Sequence, residues 1–244
     1  MCTLIVSFQQ HESAPLLIAA NRDELRARPA VGPFLWPAGF VAPRDEQGGG
    51  TWLGLTRTGL FVGVTNRFPS QRFPERQSRG QLVVEALQAA SASALRRQLE
   101  GLPVDRFNTF HLLYADLQHA FVTWSDGARV HHQQLAPGLH VVTERSLGGD
   151  DRGRTKLIES RWPTLERLDG VPTPEALQQL LATPADEPAG GVCVDLPAFD
   201  YGTRSSLVLS VAPTLARSRW FWADGRPDRT PFVEEPQLIE ALAS

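Results

Sequence analysis

Residues 1–24 read MCTLIVSFQQHESAPLLIAANRDE, two apolar runs, residues 3–8 and 16–23, around a polar turn containing Pro15. That pattern predicts an antiparallel hairpin. In a hairpin the start of one strand lies beside the end of the other, so Cys2 is expected near Asn21, Arg22, Asp23 and Glu24. Four polar residues closing the run LLIAA must reach solvent or find partners.

The pattern continues outward from this hairpin. Residues 48–67, GGGTWLGLTRTGLFVGVTNR, predict strands at 51–56 and 60–66 around a turn at 57–59. Their nearly continuous apolar character predicts a sheet covered on both faces. The period then changes. Leu82, Val83, Ala86, Leu87 and Ala90 share one helical face, and Ser78 and Gln81 have capping-box spacing. A second helix is expected over 93–99. Residues 108–117, 119–127, 128–135 and 138–143 read as a second antiparallel set. Residues 156–168 read as helical with a break near Pro163, and Thr173-Pro174 opens a helix over 174–181. Strands are expected at 191–194, 204–212 and 217–225, with a closing helix at 235–242. The order β, α, β, α, β predicts an α+β fold, with helices packed over an antiparallel core in one domain spanning residues 1–244.

Composition narrows the function. The chain has 244 residues, 42% hydrophobic, with a formal net charge of -3. Such a balance carries no basic excess and argues against a nucleic-acid partner. Cys2 and Cys193, the two cysteines, provide neither a disulfide framework nor a four-ligand metal site. The first apolar run lacks a basic leader and falls far short of the roughly 20 residues of a membrane helix. A cytoplasmic protein without stable membrane insertion is expected.

Cys2 is the first chemical candidate. Initiator methionine is commonly removed before a small residue. Removal would leave a thiol and an α-amine on one residue, and the amine, with a pKa near 7.7–8.0, can serve as the thiol's base. Taken alone, a cysteine here is more simply a small hydrophobe entering a strand. Asp23 can accept hydrogen bonds from the amine or thiol; its simpler reading is a solvated strand-end pair with Arg22. Asn66 ends an apolar strand, where its amide can donate to an oxyanion or merely form a turn. Arg204, within DYGTRSSLVL, can anchor a carboxylate or orient the nucleophile, or sit in a self-satisfied loop.

These pieces together resemble the NRDE family, also called the transport and Golgi organisation family. The resemblance rests on Met1-Cys2-Thr3, NRDE at 21–24, GGTWLG at 49–54, GVTN at 63–66 and YGTRSS at 201–206, in order across nearly the whole chain. The family is in turn similar to the cysteine branch of the N-terminal-nucleophile hydrolases, which includes penicillin V acylase and bile salt hydrolase. The resemblance implies a four-layer α-β-β-α sandwich and attack of cysteine on a non-peptide amide carbonyl. It makes Cys2 the nucleophile, Asp23 its orienting carboxylate, Asn66 an oxyanion donor and Arg204 the late arginine. Asn21, Arg22, Glu144 and Tyr201 are then expected to contact substrate.

The chain departs from the branch at Glu144, where an oxyanion-donating asparagine is usual. An ionised carboxylate would repel the oxyanion, so Glu144 points away, is protonated, or weakens hydrolysis. The resemblance also implies an alternative class, non-enzymatic haem trafficking or lipid handling. Amide hydrolysis of this kind requires no cofactor, whereas haem would be a ligand. His131 and His132, adjacent on an expected strand, face opposite ways and do not readily share a metal. The run Gly48–Gly50 lacks a phosphate loop's lysine and reads as a turn. Cys193, flanked by valines, is expected to be buried and inert.

Overall fold

The computed structural model describes residues 2–68, 73–148, 153–184 and 190–244; Met1 lies outside them. The predicted hairpin forms from β1 (Cys2–Phe8) and β2 (Leu16–Leu25). A meander follows: β3 (Ala30–Leu35), β4 (Phe40–Asp45), β5 (Leu53–Thr56) and β6 (Phe61–Asn66). Helices α1 (Arg79–Ala86) and α2 (Ala92–Gln98) precede β7 (Phe110–Ala115), β8 (Ala120–Ser125), β9 (Val130–Leu135) and β10 (Gly138–Val142). Next come α3 (Arg154–Arg161), a small pair β11 (Arg167–Leu168) and β12 (Val171–Pro172), and α4 (Pro174–Leu181). The chain closes with β13 (Asp195–Leu196), β14 (Tyr201–Val211), β15 (Arg219–Ala223), β16 (Val233–Glu234) and α5 (Pro236–Ala243).

Two antiparallel sheets stack face to face. One runs β10-β1-β2-β14-β15-β16, with β13 paired to β14; the other runs β3 through β9 in chain order. Apolar residues of β1 alternate between two cores. Leu4, Val6 and Phe8 enter the large core shared by the two sheets, while Ile5 joins Ile158, Leu177, Leu180 and Leu181 from α3 and α4. Leu82, Val83 and Ala86 of α1 and Leu95 of α2 bury against the second sheet. Helices thus cover both outer faces, which explains why the strands read as continuous apolar runs. Gly63 of β6 lies under Leu4: a side chain there would lie 3.1 and 3.2 Å from the two Leu4 methyl carbons.

Several expectations change. The proline-rich stretch after the hairpin folds as β3 and β4; Pro33, Gly32 and Pro43 hide their period. Strand β10 leaves the second antiparallel set and pairs with β1, Leu4 opposite Val142, so it extends the first sheet. The helix expected over 156–168 ends at Arg161, passes through a single tight turn at Trp162–Thr164 and becomes strand. Residues 191–194 are not a strand: Cys193 N donates to Thr183 O at 2.9 Å and Val194 N to Thr203 Oγ1 at 2.9 Å, a loop clasp. The Ser78 hydroxyl caps α1 through Gly80 N at 3.2 Å rather than through Gln81. Thr173 caps α4 as expected, through Ala176 N at 3.2 Å.

Candidate active site

The hairpin register places Cys2 opposite Arg22 and Thr3 opposite Asn21. Side chains alternate across a strand. Cys2 therefore shares the inter-sheet side with Leu4, and Arg22 shares it with Ile18 and Ala20. Thr3, Asn21 and Asp23 face the helical layer of α3 and α4.

On the inter-sheet side, Cys2 lines an open cavity of ≈ 420 Å³ together with Arg22, Trp52, Val64 and Asn66. Arg22 is held from two directions. It donates to Asp45 Oδ2 at 2.8 Å, and its guanidinium lies 4.1 Å over the Trp52 ring. Arg28 donates to the same oxygen at 2.7 Å, while Asp45 Oδ1 accepts from Gln47 N and Gly48 N. Burial opposes ionisation of Asp45, but the Gly48 N–H, Arg28 and Arg22 outweigh it and hold the carboxyl below its ordinary value. Burial holds the half-buried Cys2 thiol above its ordinary value. A neutral thiol needs a base before it can attack.

On the other side, Asp23 is buried. Its Oδ1 accepts from Thr203 Oγ1 at 2.7 Å, and its Oδ2 lies 3.6 Å from Arg154 Nη1. The same Arg154 nitrogen donates to Thr3 Oγ1 at 3.0 Å and lies 3.6 Å from Glu144 Oε2. A single buried guanidinium thereby ties β1, β2 and the turn after β10. Burial pushes the Asp23 carboxyl up to about 6, against the opposing pull of Arg154 and Thr203.

The expected site residues divide accordingly. Cys2, Arg22 and Asn66 meet at the cavity, and Asp23 borders it while its carboxylate is turned to Thr203 and Arg154 on the other face. Glu144 is buried, lies 3.6 Å from Arg154 and is not among the cavity-lining residues. Asn21 is spent on structure, donating to Leu181 O and Val192 O and accepting from Ser206 Oγ at 2.6 Å. Tyr201 donates to the Asp23 backbone carbonyl at 2.7 Å and is not among the lining residues. Arg204 occupies the bulge of β14 between Thr203 and Ser205, also outside the lining. Arg22 lines the cavity with Cys2 from the inter-sheet side, and Arg154 holds Asp23 from the helical side. Neither Arg154 nor Asp45 stood out in the sequence. Trp52 did, within GGTWLG, and serves as a cavity wall.

Among the described residues no cluster of three or more His, Cys, Asp or Glu could hold a metal, and no helix is long and apolar enough to cross a membrane. His131 and His132 do part: His131 Nε2 pairs with Asp126 Oδ2 at 2.7 Å and His132 Nδ1 with Thr123 Oγ1 at 2.9 Å.

Residues 1–218 match the Transport and Golgi organisation 2 family. The chain belongs to that family. It is 29% identical to the Transport and Golgi organization protein 2 homolog of Bos taurus, over 86% of this chain and 88% of that protein. The Homo sapiens homolog is 28% identical over the same shares. Among solved structures, a mutant of the conjugated bile acid hydrolase from Clostridium perfringens superimposes with a TM-score of 0.50, covering 96% of both chains at 10% identity. At that identity the likeness is one of fold. This Transport and Golgi organisation 2 member is the α-β-β-α sandwich of the N-terminal-nucleophile hydrolases.

Proposed function

We propose that the chain is a cysteine N-terminal-nucleophile hydrolase cleaving a non-peptide C–N amide bond of a small acylated substrate. The observation that carries this reading is Cys2 opening β1 in a cavity with Arg22 and Asn66, while Arg154 clamps Thr3 and Asp23 behind it.

The reaction starts after removal of Met1. The α-amine of Cys2 takes the thiol proton, and the thiolate attacks the amide carbon. The Asn66 amide donates to the resulting oxyanion. The tetrahedral adduct collapses, the C–N bond breaks, and the leaving nitrogen takes the proton held by the α-ammonium. Water, deprotonated by the same amine, then attacks the thioester and releases the acid, regenerating the thiol. Asp23 orients the amine, and Arg154 fixes Asp23. Arg22 lines the cavity with Cys2, held there by Asp45 and Trp52. No cofactor enters these steps.

The rival is a haem- or lipid-handling protein. A porphyrin or acyl chain needs extended apolar walls. The described lining offers Trp52, Val64, Phe73 and Pro74 among guanidinium, carboxylate and amide groups, so these residues do not fit a haem well. That supports the amide reading. An amide library assayed with the natural chain and with Cys2→Ala separates the classes. Turnover lost on substitution is expected. No turnover by either protein, with haem binding that survives Cys2→Ala, would contradict the hydrolase.

A further inference from the structure

The cavity has a second wall that the proposed chemistry does not use. It is built by the approach to α1 and its first turn, where Arg76, Ser78, Arg79 and Gly80 line the space. Glycines allow this approach. A side chain at Gly50 would meet the Gly80 carbonyl carbon at 2.4 Å, and Thr51 N donates to Gly80 O at 3.3 Å. The turn at Gly48–Gly50 thus seats the start of α1 against the cavity.

Charge is distributed unevenly around the cavity. Four arginines line it, Arg22, Arg28, Arg76 and Arg79, with the carboxylates Asp23, Glu24 and Asp45. Asp45 is shared by Arg22 and Arg28, Glu24 lies 3.7 Å from Arg28, and the Asp23 carboxylate is turned toward Arg154. All three acids are thus engaged by arginines other than Arg76 and Arg79, Asp45 at the Gly48 turn beside Ser78. Arg76 has no carboxylate within ion-pair distance among the described residues. Its guanidinium stacks 4.1 Å over Phe73 and donates to Phe107 O at 3.3 Å, which fixes its plane while using one of five donors. Arg79 donates to Thr109 O at 2.9 Å from the same wall. A planar, pre-oriented guanidinium beside a second one, at a helix N-terminus, matches a carboxylate or phosphate.

We propose that Arg76 and Arg79 form an oxyanion-binding subsite, so that the acylated substrate carries a carboxylate or phosphate away from its scissile amide. The assignment rests on the hydrolase reading only for the word substrate; the subsite itself is a binding property. It is tested by calorimetry on Cys2→Ala, where turnover is blocked, with three probes: N-butanoylglycine, N-butanoyl-O-phosphoethanolamine and the neutral N-butanoylethanolamine. At least one anionic probe should bind about tenfold more tightly than the neutral one. Its advantage should shrink with added salt. The better of the two anions identifies the group. Arg76→Gln on this background should remove the advantage, Arg76→Lys should retain part of it, and neither should change binding of the neutral probe. Equal affinity for all three probes, no binding of any, or an Arg76→Gln effect equal on all would overturn the subsite. The same probes given to the natural chain test the hydrolase separately. Anion-selective binding without hydrolysis would leave the subsite standing and remove the enzyme.

Discussion

Asp23 and Glu144 both lie 3.6 Å from one guanidinium, Arg154, and all three side chains are buried. Two carboxylates sharing a cation make that cation hard to lose. Arg154→Met should destabilise the fold by about 3–5 kcal/mol, since it strands two buried acids; urea denaturation at neutral pH checks this. A loss confined to a few tenths would mean the cluster is not coupled. Glu144→Gln should cost less, because Asp23 keeps its partner. The Asp23 carboxyl also predicts a pH dependence. Burial raises it from 3.8 to about 6, so between those values the folded chain holds a proton that the unfolded chain has lost. That contribution to stability is complete below pH 3.8 and declines as pH rises through about 6. Asp23→Asn should flatten the slope over that window, and an unchanged slope would rule the assignment out. Cys2, Asp23 and Asn66 were legible because each ends or begins an apolar run. Arg154 was not. It is one basic residue among several in a charged stretch, with Arg152 and Lys156 close by, far along the chain from Asp23, and only tertiary packing brings α3 beneath the hairpin.

Elements explain where the reading of the sequence held. The β1–β2 hairpin follows from two apolar runs and a turn, and its register sets Cys2 against Arg22. Thr173-Pro174 marks the start of α4 because the cap and the fixed proline angle are local chemistry. Strands β3 and β4 were missed where prolines and glycine interrupt the period, and 191–194 looked like a strand because apolar residues can also line a clasp. The Gly48–Gly50 turn was legible as a turn, but its packing partner was not. Gly50 has a specific cost attached. Its added Cβ would lie 2.4–2.6 Å from Gly80 backbone atoms, which cannot swing aside. Gly50→Ala should therefore destabilise by about 1–3 kcal/mol, measured by chemical denaturation. It should also weaken binding of the anionic probes by shifting α1. A silent substitution would mean that α1 does not rest on this loop.

At the scale of the molecule, the two sheets meet through a core in which Leu4, two residues from Cys2, presses on Gly63, three residues before Asn66. Sheet separation and site geometry are thereby linked. Gly63→Val should destabilise by overpacking and Leu4→Ala by about 2–5 kcal/mol through the space it leaves. The double variant should be more stable than the sum of the two losses predicts, because one change fills what the other empties. Strict additivity would show that the two residues do not share this contact. The α+β class followed from covered strands and intervening helices and the four-layer sandwich from the family resemblance, whereas the crossing of β10 to the first sheet depends on long-range pairing that no local pattern reports. The proposed function places its nucleophile at the start of β1. Intact-mass spectrometry of the purified protein tests its role most directly: the account predicts a chain that has lost Met1 and begins with a free Cys2, and a chain that fully retains Met1 would contradict it.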